Sequence, residues 1–255
     1  MKTLYVHIPF CEKKCFYCSF VISVGQARRI DGYLGCLDNE ALTYGREKVA
    51  SVYIGGGTPT VMNPAQLTRL LGMIRSRFDM SCVVETTIES NPEGLDLEKL
   101  KLLKKERVTR ISLGVQSLND RYLKILGRNH NALTAQRTFD RIRKAGFENI
   151  NLDLMFGFPG QTLRELEDDV DALVRLNSEH VSIYALTVEE NSRFFTRNIR
   201  LQEEDDQAQK YTAVTERLAQ AGFAQYEISN YARPGRESYH NIHYWSGGEY
   251  IGLGV

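Results

Sequence analysis

The run Ser51 to Phe78, SVYIGGGTPTVMNPAQLTRLLGMIRSRF, contains one full unit of the fold. Ser51 to Gly55 is short and rich in residues that suit a strand. Gly55-Gly56-Gly57-Thr58 then breaks it. Asn63 followed by Pro64 reads as an N-cap with proline at the first helical position. Leu67, Leu70, Leu71 and Ile74 recur at helical spacing through to Phe78. The same alternation extends in both directions, with strands expected at Thr3 to Ile8, Val83 to Glu89, Arg110 to Val115, Asn149 to Met155 and Val181 to Leu186. Further helices are expected over Leu163 to Leu176 and from about Asp205 to Ala221, the latter closed by Gly222.

Repeated strand–helix units imply a parallel sheet, either doubly wound or curled into a partial barrel. Gly55-Gly56-Gly57-Thr58, Glu89-Ser90-Asn91-Pro92, Gln116-Ser117, and Asp153 followed by Gly157 all fall at or just past carboxyl ends of strands. Polar groups from so many successive strands converge more naturally in a barrel mouth than at one switch point. The expected fold is therefore α/β, a partial (β/α)6 TIM-like barrel over residues 1–190. A C-terminal helical and aromatic segment follows over 191–255. Its ending, Gly252-Leu253-Gly254-Val255, reads as an element cut short, so the C-terminal region is expected to be incomplete and the tail from Tyr226 mobile.

The chain has 255 residues, 42% of them hydrophobic, enough for a sizeable core and too many for a disordered protein. Lys+Arg and Asp+Glu both number 32, and this balance argues against nucleic acid as a partner. No apolar run approaches the ~20 residues of a membrane span. The N-terminus lacks the apolar core of a secretory signal, so a cytoplasmic location is expected.

Five cysteines are too few, and odd in number, for a disulfide scaffold. Cys11, Cys15 and Cys18 form C-x3-C-x2-C directly after the first strand. Three thiolates so close can wrap one soft metal centre. Zinc would want a fourth ligand, for which His7 is the nearest candidate, whereas a [4Fe-4S] cluster on three cysteines keeps one iron open. Plain thiols remain the bland alternative. Cys36 and Cys82 read as packed thiols, Glu89 and Asp153 as possible helix caps, Arg128 as a possible surface arginine, and His130 and His180 as structural or exposed.

Tyr5-Val6-His7-Ile8-Pro9-Phe10-Cys11, with Tyr17 as the aromatic before Cys18, resembles the radical S-adenosylmethionine superfamily. With Gly55 to Thr60, Leu113 to Ser117 and Gly157 to Thr162 in order, the chain resembles its oxygen-independent coproporphyrinogen III oxidase family. The resemblance implies a (β/α)6 barrel in which Cys11, Cys15 and Cys18 hold a [4Fe-4S] cluster whose fourth iron takes S-adenosylmethionine. It implies an electron donor and a 5'-deoxyadenosyl radical. It places Tyr5 beside the cluster and Gly56, Gly57 and Thr58 at the methionine moiety. Glu89, Gln116, Arg128 and Asp153 would line the rest of the S-adenosylmethionine site, with Ala185 near the adenine.

Two features depart from the family's oxidases. Cys18 is followed by Ser19-Phe20 where those enzymes carry a further cysteine as C-x-C, and Cys11 lies only eleven residues from the start. His240-Asn241-Ile242-His243-Tyr244-Trp245 instead resembles the heme-binding motif of related heme chaperones, with His240 as an axial ligand; the bland alternative is an aromatic loop that closes the barrel, with His240 and His243 hydrogen-bonded rather than ligating. The resemblance thus implies heme delivery to an acceptor, such as a membrane respiratory enzyme. The alternative is an enzyme acting on a porphyrinogen in porphyrin biosynthesis.

Overall fold

The computed structural model describes residues 1–254. Strand and helix alternate as β1 (Lys2–Ile8), β2 (Phe10–Cys11), β3 (Ser23–Val24), α1 (Ile30–Leu42), β4 (Val49–Gly56), α2 (Pro64–Arg77), β5 (Glu85–Ser90) and α3 (Leu97–Lys105). There follow β6 (Arg110–Gln116), α4 (Asp120–Leu126), α5 (Ala132–Lys144), β7 (Ile150–Phe156), α6 (Leu163–Arg175) and β8 (His180–Ala185). The C-terminal part adds α7 (Arg193–Thr196), α8 (Glu204–Gln220), β9 (Ala224–Gln225), β10 (Asn230–Ala232), α9 (Tyr239–Trp245) and β11 (Tyr250–Leu253).

Local chemistry sets these boundaries. Asn63 accepts from the Gln66 backbone while the Gln66 side chain accepts from Asn63, a reciprocal cap that starts α2 with Pro64. Thr162 and Glu165 make the same exchange at α6. Gly222, with φ +84°, follows the end of α8.

The main sheet has nine strands in the order β11-β1-β4-β5-β6-β7-β8-β10-β9. Strands β1 to β8 of this sheet are parallel and adjacent in chain order, without the reversal of a doubly wound sheet. Their outward residues, such as Leu4, Val52, Ile111, Leu152 and Val181, pack with Leu34, Leu67, Leu100, Ile142, Leu173 and Leu218 of the helices in one core. The opposite face is concave: Tyr5 on β1 and Tyr184 on β8, at the two ends of the six-strand arc, line the same cavity. The chain is thus a partial barrel.

The expectation of a mobile tail is overturned. Strand β10 pairs antiparallel with β8, Asn230 opposite Ser182, and β11 pairs parallel with β1, Ile251 opposite Leu4. Both edges of the six-strand arc offer unsatisfied backbone groups, and short segments of the tail satisfy them. Val255, the last residue of that expectation, lies outside the described residues. Cys36 is exposed on α1 and Cys82 is half-buried, so neither is the packed core thiol expected. No helix among the described residues is long and apolar enough to cross a membrane.

Candidate functional site

The cysteine loop hangs from the carboxyl end of β1. Strands β2 and β3 pair at its base, Phe10 with Ser23 and Cys11 with Val24. The glycine turn after β4 is stitched to it: Gly57 N donates to Ile8 O at 2.9 Å, and Thr58 N donates to Phe10 O at 2.8 Å. A Cβ at Gly57 would lie 2.7 Å from Phe10 O and 3.1 Å from Cys11 Sγ, so only glycine permits this approach.

A chain of polar contacts then runs from one cysteine to another. Cys11 Sγ lies 3.5 Å from Thr58 Oγ1, which accepts from Asn91 Nδ2 at 3.1 Å. Asn91 Oδ1 accepts from Arg128 Nη2 at 2.8 Å, and Arg128 Nη1 donates to Cys15 Sγ at 3.4 Å. Arg128 also donates to Gly114 O at 2.7 Å, while its buried Nε has no partner. The surface-arginine reading therefore fails. Burial opposes its charge, but Tyr17, the Cys15 thiol and Glu93 together hold the guanidinium's pKa above its ordinary value.

Two carboxyls face the same space. Glu89 accepts from Tyr53 OH at 2.8 Å and Gly56 N at 3.1 Å. Loss of hydration in the barrel interior, with Asp153 nearby, pushes Glu89 up to about 7. Asp153 accepts from Asn151 Nδ2 at 2.7 Å, and desolvation raises it as well. Neither caps a helix. Gln116 sits at a register shift between β6 and β7 with φ +67°, an irregularity that re-aims a side chain at the strand end. Desolvation raises the Cys11 and Cys18 thiols, with charge repulsion from the neighbouring thiols adding to it, and raises the Tyr17 phenol.

One cavity of about 340 Å³ brings together Cys11, Cys15, Cys18, Tyr17, Gly56, Gly57, Thr58, Glu89, Gln116, Arg128 and Asp153. All three thiols are free of disulfides. Among the described residues no group of three or more His, Cys, Asp or Glu is set to hold a metal ion. Three soft thiols on one cavity, with no histidine in its wall, suit a cluster held by three residues better than a closed zinc site.

Three expected residues lie elsewhere. Tyr5 stacks on Tyr53, centroids 6.1 Å apart, and its hydroxyl is 3.1 Å from His7 Nδ1. It lines a second cavity, of about 390 Å³, rather than the one with the thiols. Ala185 is exposed at the end of β8, and its neighbour Tyr184 takes the place in the cavity walls. His240 is buried on α9 and lines the second cavity with Tyr244, Trp245 and Tyr250. Its Nδ1 lies 2.9 Å from Ser51 Oγ, its ring centroid is 5.1 Å from that of Tyr53, and burial pulls it down to about 4, so it is neutral at pH 7. Tyr53 and Tyr184 border both cavities.

Sequence reasoning missed Tyr53, Tyr184 and Glu85, and gave Asn91 only as part of the polar run at the end of β5. Tyr53 and Tyr184 carried a signal, since each is an interior-phase residue near the end of an expected strand. Glu85 carried none: its carboxylate receives Ser238 Oγ at 3.0 Å and the backbone N–H groups of Tyr239 and His240 at 3.2 Å each, across more than 150 residues of chain.

A parallel partial barrel with a three-cysteine loop after its first strand defines a class of protein, and the profile of the Radical SAM superfamily matches residues 5–173. Curated relatives narrow it. The heme chaperone HemW of Lactococcus lactis subsp. lactis (strain IL1403) is 41% identical over 98% of this chain and 67% of its own. That of Bacillus subtilis (strain 168) is 41% identical over 100% of this chain and 70% of its own. The coproporphyrinogen III oxidase HemN of Escherichia coli, a radical SAM enzyme, superposes with a TM-score of 0.86 at 26% identity, over 99% of this chain and 63% of that one. The chain belongs to the Radical SAM superfamily and, within it, to the HemW family. It spans 67% and 70% of the two chaperones' lengths.

Proposed function

We propose that the protein is a radical SAM-type heme chaperone that binds a [4Fe-4S] cluster, S-adenosylmethionine and heme, and passes heme to an acceptor protein. In this reading residues 1–190 form the cofactor-binding core, 191–255 close it, and the protein works in the cytoplasm beside an electron donor and a membrane respiratory acceptor. The observation that carries the reading is the pair of adjoining cavities, one holding the three thiols and the other His240, with Tyr53 and Tyr184 common to both.

Cys11, Cys15 and Cys18 would ligate the cluster, which together with S-adenosylmethionine supplies one-electron reductive chemistry when bound. Arg128, with an N–H left over, suits a carboxylate. The Gly56 and Gly57 backbone and Thr58 suit the methionine portion, and Glu89, Gln116 and Asp153 suit ribose hydroxyls. Tyr17 covers the cluster side of the cavity, Tyr5 acts from beneath Tyr53, and Tyr184, in the wall where Ala185 was expected, borders the adenine. On the other side, His240 would hold heme iron through Nε2, since Ser51 occupies its Nδ1, and Tyr244 and Trp245 offer aromatic faces on which a macrocycle would pack.

Anaerobic purification with iron, sulfide and heme quantified on one sample tests the reading. About four irons and one heme per chain, with S-adenosylmethionine bound but no substrate-dependent 5'-deoxyadenosine, support it. Release of carbon dioxide and 5'-deoxyadenosine with a porphyrinogen would instead establish the enzyme. Zinc in place of iron would overturn both.

A further inference from the structure

Phe16 follows Cys15 in the cysteine loop, and its ring rests so closely on Gly127 that a Cβ there would lie 2.8 Å from it. Three cations surround this ring: Lys13 Nζ at 5.9 Å from the centroid, the Arg193 guanidinium at 5.3 Å and that of Arg197 at 4.9 Å. All three residues are exposed. Among the described residues, none of the three side chains makes an ion pair or hydrogen bond. The ring's negative face attracts each cation, but three like charges on one ring repel one another. Among the described residues no carboxylate forms an ion pair with them, although the chain's acids equal its bases, 32 to 32, and Glu12 and Glu93 share a pocket wall with Lys13.

The patch is pre-organised. Phe16 N donates to Leu126 O at 2.9 Å, Phe194 N donates to Phe16 O at 3.0 Å, and Lys14 Nζ donates to Asn191 O at 3.2 Å. The cysteine loop and the segment that carries α7 are therefore fixed to each other. Lys14 and Arg128, the latter bonded to Cys15 Sγ, add further positive charge to the loop.

We propose that this basic face is the docking surface for a one-electron carrier protein with an acidic face. The inference rests on the reading of Cys11, Cys15 and Cys18 as cluster ligands. A partner seated on Lys13, Arg193 and Arg197 would meet the ring of Phe16, the residue next in sequence to Cys15. One electron passes from the partner's reduced flavin to the oxidised cluster, and no bond forms or breaks. Complementary charge speeds such an encounter and makes it sensitive to salt.

The test uses an acidic flavodoxin as probe. Its reduced form is mixed with the anaerobic protein in stopped flow, and its oxidised form is titrated by calorimetry. The second-order rate constant should fall about tenfold or more between about 20 and 200 mM salt. In Lys13→Glu/Arg193→Glu/Arg197→Glu it should be at least about tenfold lower at low salt, with the salt dependence gone and the calorimetric affinity reduced in parallel. Reduction by dithionite should be unchanged, and in Arg193→Glu/Arg197→Glu, which spares the Lys13 in the wall of the thiol cavity, binding of S-adenosylmethionine should be unchanged as well. The triple Gln variant should fall between the two, which guards against a loop that charge reversal unfolds. Unchanged rate and affinity would overturn the proposal. So would equal slowing with dithionite, since the cations would then act on the cluster itself, or salt-sensitive binding to phosphatidylglycerol vesicles without binding to flavodoxin. A sample without iron would sink the cluster reading, while calorimetry would still decide whether the face binds the carrier.

Discussion

Replacing Glu85 by alanine should unlatch α9 from the barrel. The carboxylate is 5% exposed and accepts three hydrogen bonds, from Ser238 Oγ and from the Tyr239 and His240 N–H groups at the start of α9. Hydrogen bonds to a charged group contribute roughly 1.5–3 kcal/mol each, and donors left unsatisfied in a buried site cost about 1–3 kcal/mol each. The negative charge at a helix N-terminus adds about 0.3–1 kcal/mol. The contributions overlap, because α9 can swing out and let water replace the carboxylate. The expected loss is therefore about 3–5 kcal/mol within α9 and less for the whole fold. Native-state amide exchange should show Tyr239 and His240 opening far more readily than β5 to β7, and heme titration should show weaker binding as His240 leaves its place beside Ser51. Glu85→Gln keeps one acceptor and should lose about half as much. A Glu85→Ala protein with unchanged protection at Tyr239 and His240 would refute the reasoning, because the three bonds would then do nothing to hold α9.

Iron should be lost on changing any of Cys11, Cys15 or Cys18 to alanine and kept in the Cys36 and Cys82 variants; full iron retention in Cys15→Ala would contradict the ligand assignment. Gly57→Ala forces a Cβ to within 2.7 Å of Phe10 O, so iron content should fall sharply and stability by about 1–3 kcal/mol, read by metal analysis and urea titration. Glu89, with an ordinary value of 4.5, holds its proton up to about 7 in the folded chain. Folding therefore favours the protonated form, and the ligand-free protein should lose stability as pH rises from about 4.5 through about 7. Glu89→Gln should flatten that part of the pH–stability profile, and an unchanged slope would place the titration elsewhere.

The barrel was readable because its signals are local. Asn63-Pro64, Thr162 and Gly222 mark helix ends within a few residues of themselves, and the six parallel strands fall close to their expected places. Strand β5 starts later than expected: Val84 is 63% exposed, and alternation inside the sheet begins only at Glu85. Glu89 and Asp153 were legible as polar residues at strand ends, whereas Arg128 was legible only through the resemblance, because the contacts that draw it inward come from Cys15, Asn91 and Gly114. Tyr5 went to the other cavity because periodicity assigns a face to a strand residue but not a level along the barrel. The tail's order could not be seen at all, since four residues of β11 have their partners in β1 at the far end of the chain.

That last pairing governs how the molecule is made. A nascent chain exposes the free edge of β1 once Ile8 has emerged and that of β8 once Ala185 has emerged. The segments that cover them, Asn230–Ala232 and Tyr250–Leu253, follow only after more than 40 and more than 240 further residues of chain, respectively. During that interval the barrel has two adhesive edges and no closure, the condition under which sheets pair with the wrong chain. Contacts so distant in sequence also form slowly. A ribosome that stalls before Asn230 therefore releases a chain with both edges of its sheet open.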